Sequence, residues 1–259
     1  MTNESRAPYP ILEFDPSREA LIEPQRLIRP IDIPAHAVAC FFQDIIDALV
    51  AEGRATLLTN QRSEMGLHPV YRLDAGGGRQ VALFHPGVGA PLAAGMLEEV
   101  IALGSRRFIV CGGAGALDRA LTVGHLVVPT SAVRDEGTSY HYMPASREVA
   151  APGEAVAAIE AVLRAEGLPY VLGKTWTTDA IFRETPARIA WRREEGCVTV
   201  EMEAATLFAV AQFRGVTLGQ ILYSGDDLSG PVWDSRGWTS KAEVRAQLLR
   251  LAVEACLRL

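Results

Sequence analysis

Two acids flank a single methionine in the run GCVTVEMEAATLFAVAQFRG, residues 196–215. Glu201 and Glu203 stand at its front edge around Met202, and the residues after them are almost wholly apolar. A carboxylate taken into the core is costly unless partners compensate it. In an extended segment alternate side chains share a side, so Glu201 and Glu203 face one way and Met202 the other. Beyond them Ala204, Ala205, Leu207, Phe208, Val210 and Ala211 predict a helix that is apolar nearly all round, and hence buried. The acids therefore mark a strand-to-helix junction inside the molecule. The helix dipole contributes only ~0.3–1 kcal/mol to a carboxylate in its first turn, too little to offset burial. Two explanations stand: an internal ion pair with an arginine, or a polyhydroxyl ligand whose hydroxyls donate to the carboxylates.

A second acidic pair, Asp226 and Asp227, follows an apolar run in YSGDDLSG, residues 223–230. It is either a turn or a partly buried general acid with a raised pKa. HPGVGAP (85–91) and CGGAGAL (111–117) are Gly-rich. Gly87, Gly89, Gly112 and Gly113 would let a ligand reach bare backbone amides, which suits an anion or a sugar. Neither run is G-x-G-x-x-G, and the Walker lysine is absent. Turn geometry alone is the alternative. In open α/β sheets ligands bind at the carboxyl ends of strands, which is where all these runs fall. The five histidines are scattered; His85 and His141 fall near predicted strand ends, and Tyr140 and Tyr142 either cover a sugar or pack.

The elements that must position these residues are legible in outline. Strands are predicted in RATLLTNQRS, HPVYRL, VALFHPGVG, GHLVVPTSAV, PYVLGKTWTTDA and TLGQILYSGDDLSG, and RRFIVCGGAGAL reads as a strand running into a Gly-rich loop. HAVACFFQDIIDALV passes from a short strand into a helix. Helices are predicted in APLAAGMLEEVIALG, GEAVAAIEAVLRAEG, PARIAWRREEG and SKAEVRAQLLRLAVEACLRL. Strands and helices alternate with short connections, so the fold class is α/β with helices around a central sheet. Residues 1–35 carry six prolines and little periodicity and read as an extended arm; residues 36–259 form a single domain.

Net charge −6 and pI near 5.5 argue against a nucleic-acid partner. No apolar run reaches the ~18–20 residues needed to span a bilayer, so no membrane partner is expected. The N-terminus carries no signal-peptide pattern. Cys40, Cys111, Cys197 and Cys256 are widely spaced, without C-x-x-C or zinc spacing. They read as buried reduced thiols in a cytoplasmic protein, with no metal.

The combination of VEMEAATLFAVA, TTDAIF before it and SGDDL after it resembles the nucleoside phosphorylase type I superfamily. That group holds purine nucleoside and uridine phosphorylases and the methylthioadenosine/adenosylhomocysteine nucleosidases. GVGAPLAA resembles its Gly-x-Gly-x-Pro segment, and GGAGALDRALTVGHLVVPTSAVRDEGTSYHY its central strand region. The likeness runs over roughly residues 37–255. It implies a three-layer fold with a mixed, partly barrel-like sheet flanked by helices, and cleavage of an N-glycosidic bond. Glu203 would bind ribose hydroxyls, with Met202 against the sugar face and Glu201 nearby. Asp226 would help the base depart, with Arg236 supporting it, and Gly225 stands where a serine is usual. Ile181, Phe182 and Arg183 would line the base pocket. Asp226 leans toward a purine-like base, whereas RDEGTSYHY is closer to uridine-phosphorylase-like members.

The departures concern phosphate. Where the group carries Gly-Asp-Pro-x-Arg, this chain has FFQDIID, and Val110 and Gly113 stand for the arginine and threonine of its Arg-x-Gly-Thr run. Arg62 matches a phosphate-site arginine that a neighbouring subunit typically donates. The expected function is thus an enzyme, a nucleoside phosphorylase giving free base and ribose 1-phosphate. It needs no cofactor, only inorganic phosphate as co-substrate, held by Arg62 with the amides of Gly87, Gly89, Gly112 and Gly113. The alternatives are a nucleosidase using water, with Asp44 as its base, and a non-catalytic nucleoside-binding protein. A homo-oligomer, a dimer or a trimer of dimers, is implied by the group.

Overall fold

The computed structural model describes residues 7–259 of the chain. Its strands, in chain order, are β1 (His36–Cys40), β2 (Ala55–Ser63), β3 (Gly66–Gly76), β4 (Arg79–Phe84), β5 (Arg107–Ala116), β6 (Leu126–Asp135), β7 (Glu148–Ala150), β8 (Tyr170–Thr178), β9 (Cys197–Glu201) and β10 (Thr217–Asp227). The helices are α1 (Pro24–Leu27), α2 (Gln43–Ala51), α3 (Ala90–Leu103), α4 (Gly153–Ala165), α5 (Pro186–Glu194), α6 (Ala204–Arg214) and α7 (Ala242–Cys256).

All ten strands belong to one mixed sheet in the order β10-β6-β8-β9-β5-β1-β4-β3-β2, with β7 on the side of β6. β10 also pairs in parallel with β5, so β10, β6, β8, β9 and β5 close into a five-stranded barrel-like ring. From β5 the sheet runs on as an open wing through β1 and β4, both parallel to the core, to the antiparallel β3 and β2. The expected three-layer α/β architecture with a mixed, partly barrel-like sheet is therefore present.

The strand sequences explain the layering. HAVAC of β1 is apolar at every position after His36, as a strand covered on both faces must be. Val38 and Cys40 join Ile109, Cys111, Ile221 and Tyr223 in a core packed against Leu248, Leu251 and Ala252 of α7. Ala37 and Ala39 point the other way, with Phe108, Val110 and Leu218, into a second core with α3 and α6. α3 and α6 are apolar on almost every side because each is pressed between the sheet and its neighbours; α6 buries Ala204 through Ala211 without a break. Gly215, left-handed at φ 71°, ends α6.

One local expectation is overturned. CGGAGAL does not leave the sheet as a Gly-rich loop: β5 continues through it to Ala116, paired with β10 from Thr217 to Ser224. The glycines serve packing. A Cβ at Gly112 would lie 3.0 Å from the Phe41 ring, and one at Gly113 would lie 3.2 Å from the Tyr223 ring.

The described part of the N-terminal arm lies against α3 and α6. Arg214 on α6 ties Glu23 at 2.8 Å to Glu98 at 2.7 Å, and Arg18 donates to the Phe213 carbonyl at 2.6 Å. No helix among the described residues is long and apolar enough to cross a membrane. Cys40, Cys111, Cys197 and Cys256 are all buried and free.

Candidate active site

A cleft of about 620 Å³ opens where the carboxyl ends of β1, β5, β9 and β10 meet. That volume lies within the ~300–1,000 Å³ of ordinary small-molecule sites. Phe41, Phe42, Gly112, Gly113, Gln220 and Leu222 line it deep in the sheet, while Val88, Ile181, Phe182, Trp233 and Trp238 also border it. Glu201, Met202, Glu203, Glu184, Asp226 and Arg245 supply its reactive or charged side chains. Glu203 and Asp226 thus share one cavity.

The acidic junction resolves into two different jobs. Glu201 is the last residue of β9 and is almost fully buried. Its Oε1 accepts from the Thr177 hydroxyl at 2.6 Å, and its Oε2 from the backbone N–H groups of Glu203 at 2.8 Å and Ala204 at 2.6 Å. It therefore closes the N-terminus of α6 and ties it to β8. No arginine among the described residues is involved, which removes the ion-pair explanation there. Glu203 occupies the N-cap position of α6, and its Oε1 accepts the Gly89 N–H at 2.6 Å. Met202 is half-buried and, because the chain has already bent out of the strand, borders the same cleft as the two acids instead of facing away from them.

Burial pushes the Glu201 carboxyl up to about 7, against the donors that hold it. Burial, reinforced by the Glu201 charge, pushes Glu203 up to about 8. The two titrate as a pair. Three donors converge on Glu201 and two on Glu203, the N–H groups of Gly89 and, at 3.3 Å, Met202, so the charged form is favoured more at Glu201 than at Glu203. A protonated Glu203 can donate one hydrogen bond and still accept others, which suits a vicinal diol.

At the other end of the cleft Asp226 sits beside an irregularity in the β10–β5 ladder. Its Oδ2 accepts the Trp233 indole N–H at 2.6 Å. Gly225 before it makes room for Trp238: a Cβ there would come within 3.3 Å of the Trp238 Cβ. Beside Asp226 stands Glu184, half-buried just after the short 3₁₀ turn Ile181–Arg183. Burial, with the Asp226 charge adding to it, pushes Glu184 up to about 7, partly offset by Arg188.

Several expected site residues lie elsewhere. Arg236 pairs with Asp227, not Asp226, and donates to the Leu121 carbonyl at 2.7 Å, so it braces the loop behind the site. Arg183 is exposed and does not line the cleft, unlike its neighbours Ile181 and Phe182. Asp44 on α2 is half exposed and lies outside the lining; it contacts Arg245 at 3.3 Å. Arg62 is exposed on β2, the outermost strand of the wing, away from the chain's own cleft.

The amides of Gly87 and Gly89 are not free for an anion. The first donates to His85 Nδ1 at 3.0 Å and the second to Glu203. Both glycines have positive φ, and a Cβ at Gly87 would sit 2.3 Å from the Leu92 side chain, so backbone conformation alone requires them. His85 packs edge-on against Phe41, and burial lowers its pKa. Tyr140 donates to the Arg134 carbonyl and Tyr142 packs on Phe213, so both are structural. His141 is exposed.

Sequence inspection misses Glu184, Gln220, Trp233 and Arg245. Gln220 does carry a signal: it is the one amide in the otherwise apolar run LGQILY, is 1% exposed, and its Oε1 has no hydrogen-bond partner. A buried acceptor in that state asks for a ligand donor.

A family model described as the phosphorylase superfamily matches residues 36–258. The guanosine phosphorylase of Halorubrum lacusprofundi is 30% identical over 144 residues, covering 56% of this chain and 60% of that protein. The uridine phosphorylase of Thermococcus kodakarensis is 29% identical over 177 residues, covering 62% and 64%. The chain thus spans somewhat under two thirds of the length of these relatives. Among solved structures, the AMP nucleosidase of Bacteroides thetaiotaomicron superposes with a TM-score of 0.73 at 19% identity, over 90% of this chain and 95% of that one. The uridine phosphorylase of Vibrio fischeri gives a TM-score of 0.71 at 21% identity, over 90% and 94%. At such identities these superpositions speak for the fold.

Proposed function

The chain belongs to the phosphorylase superfamily, and from that premise we propose that it cleaves the N-glycosidic bond of a nucleoside, with phosphate as the acceptor of the sugar. The observation that carries this proposal is the single cleft bordered by both Glu203 and Asp226. Relatives named guanosine and uridine phosphorylase support it.

In this account the ribose lies against Met202, with Glu203 holding its hydroxyls and Glu201 holding the start of α6 in place. The base lies between Ile181 and Phe182 on one side and Asp226 and Trp233 on the other. As the C–N bond breaks, its electron pair leaves with the base, and the sugar gains oxocarbenium character that carboxylates stabilise. The base takes up a proton at the Asp226–Glu184 pair, where Glu184 is raised enough to hold one near neutrality. A phosphate oxygen forms the new C–O bond, giving ribose 1-phosphate.

Hydrolysis by water is the second proposal. It is favoured by the apolar side chains Phe41 and Phe42 just after β1, by Val110, which is buried inside β5, and by the engaged amides of Gly87 and Gly89. We further propose a homo-oligomer in which Arg62 reaches a neighbouring cleft, and a cytoplasmic place in nucleoside salvage.

The test is base release from a panel of purine and pyrimidine nucleosides with and without phosphate. Strict phosphate dependence with ribose 1-phosphate formed supports phosphorolysis. Free ribose without phosphate supports hydrolysis. Tight binding without turnover of any member overturns both.

A further inference from the structure

Arg245 enters the cleft from the last helix, more than a hundred residues beyond the Gly-rich runs. It is the only basic side chain among the described residues that line the cleft, where Glu184, Glu201, Glu203 and Asp226 are acidic. Its guanidinium stands over Phe42 at 5.4 Å and Trp238 at 5.7 Å from the ring centroids. The side chain is 12% exposed.

The Tyr223 hydroxyl stands beside the guanidinium, and the other bonds that group makes are long. Nη1 reaches the Asp44 carboxylate only at 3.3 and 3.4 Å, Nη2 reaches the Trp238 carbonyl at 3.5 Å, and Nε is buried with no partner. Exposed arginines of the same protein do better: Arg79 grips Glu254 with two bonds of 3.0 Å, and Arg250 grips Glu166 with two of 2.8 Å. A structural ion pair shows the opposite trend, because a buried guanidinium needs its hydrogen bonds more than an exposed one. The rings of Phe42 and Trp238 hold the planar group in place, yet its strongest donor geometry, the bidentate fork, is unspent. Asp44, half exposed on α2, is a loose counter-ion that a better acceptor displaces.

We propose that Arg245 is the oxyanion-binding side chain of this cleft, taking a phosphate group in bidentate fashion. The phosphate is either the inorganic co-substrate or one carried on the substrate's sugar; the chemistry of recognition is the same. The choice of co-substrate rests on the nucleoside-cleaving function proposed above, whereas binding of the oxyanion does not.

Binding is measured by calorimetry and thermal shift on the full chain, with inorganic phosphate and with nucleoside 5′-monophosphates, for wild type, R245Q, R245K and D44N. Loss of a charge-assisted pair predicts that R245Q weakens oxyanion binding by about ten- to a hundredfold. R245K, which keeps the charge without the fork, falls between, and D44N, which removes the competing acceptor, binds more tightly than wild type. Where turnover occurs, the KM for phosphate rises with R245Q while the KM for the nucleoside stays within about twofold. Arg245-dependent binding of inorganic phosphate assigns the site to the co-substrate; dependence confined to the 5′-monophosphate assigns it to the substrate. R245Q binding both as tightly as wild type, or wild type binding neither, overturns the proposal. Should R245Q fail to fold, R245K and D44N carry the same readout. Because binding needs no turnover, an inactive protein with Arg245-dependent phosphate binding would remove the enzymatic proposal and leave this one standing. Base release with unaltered binding in R245Q would do the reverse.

Discussion

Glu203 Oε1 accepts the backbone N–H of Gly89 at 2.6 Å, joining the start of α6 to the loop between β4 and α3. The two segments are 114 positions apart, and this bond holds a cleft-lining carboxyl in one position while taking up an amide that would otherwise be free. Glutamine preserves the bond through its carbonyl oxygen; alanine removes it. Glu203→Ala should therefore lose ~1–3 kcal/mol of stability from an unpaired buried donor, read from chemical denaturation, while Glu203→Gln stays close to wild type. Both should raise the nucleoside KM by about tenfold or more, because each loses the carboxyl proposed to meet the sugar. Equal stability of the two variants would mean that the Gly89 bond contributes nothing.

Glu201 should behave differently. Its carboxylate is spent on Thr177 and on the N–H groups of Glu203 and Ala204, none of which is ligand. Glu201→Ala strips a helix cap worth ~0.5–2 kcal/mol and leaves buried donors unpaired, each costing roughly 1–3 kcal/mol more. The expected phenotype is a large fall in the denaturation midpoint, with Glu201→Gln intermediate. A Glu201→Ala protein as stable as wild type but defective in nucleoside binding would place this acid with the ligand instead.

Asp226→Asn should slow base release by about two to four orders of magnitude, the usual scale for removing a positioned acid, with nucleoside binding largely kept. Trp233→Phe tests the same group from behind. It deletes the 2.6 Å indole bond to Asp226 but keeps an aromatic wall, so it should lower kcat by less than Asp226→Asn. An equal loss of binding and turnover in Asp226→Asn would make the aspartate a structural element.

How much of the fold and the cleft is legible in the sequence depends on where each signal resides. Short-range patterns translate well. The all-apolar run after Glu203 becomes a buried helix, and the unbroken HAVAC becomes a strand covered on both faces. CGGAGAL misleads because glycine in a loop and glycine under an aromatic ring look alike in one sequence; only the positions of Phe41 and Tyr223 distinguish them. Arg236 meets Asp227 instead of Asp226 because adjacent residues of a strand point to opposite sides. Arg245 is invisible because its place depends on how α7 lies across β1, β5 and β10, which no local spacing encodes. Glu184 sits in the charged stretch RETPAR, where nothing marks one acid as half-buried.

Glu184 gives a pH test that needs no substrate. Its ordinary value is 4.5 and burial raises it to about 7 in the folded protein. The folded state therefore holds a proton that the unfolded chain has released, and stability falls as pH rises between those two values. Below pH 4.5 the contribution is fully present; above about 7 it is gone. Glu184→Gln stays neutral throughout, so its melting temperature should decline less than that of wild type between about pH 5 and pH 7.5. Parallel melting curves for the two proteins would show that Glu184 is not raised.

The proposed role of Arg62 can be tested without a structure of an assembly. It lies exposed on the outermost strand of the wing, so it serves a phosphate site only if a second copy brings its cleft to it. R62A and D226N should each be nearly inactive. Refolded together, they form mixed dimers in which one cleft combines an intact Asp226 with an intact Arg62 of the partner subunit, while the other cleft loses both. In a two-fold assembly, random pairing of equal amounts makes half of the dimers mixed and half of their clefts whole, so roughly a quarter of wild-type activity should return. Recovery requires that the arginine act across the interface. If R62A remains fully active on its own, or if the mixture stays as inactive as its components, the arginine has no part in a shared site, and oxyanion binding rests on Arg245 within the same chain.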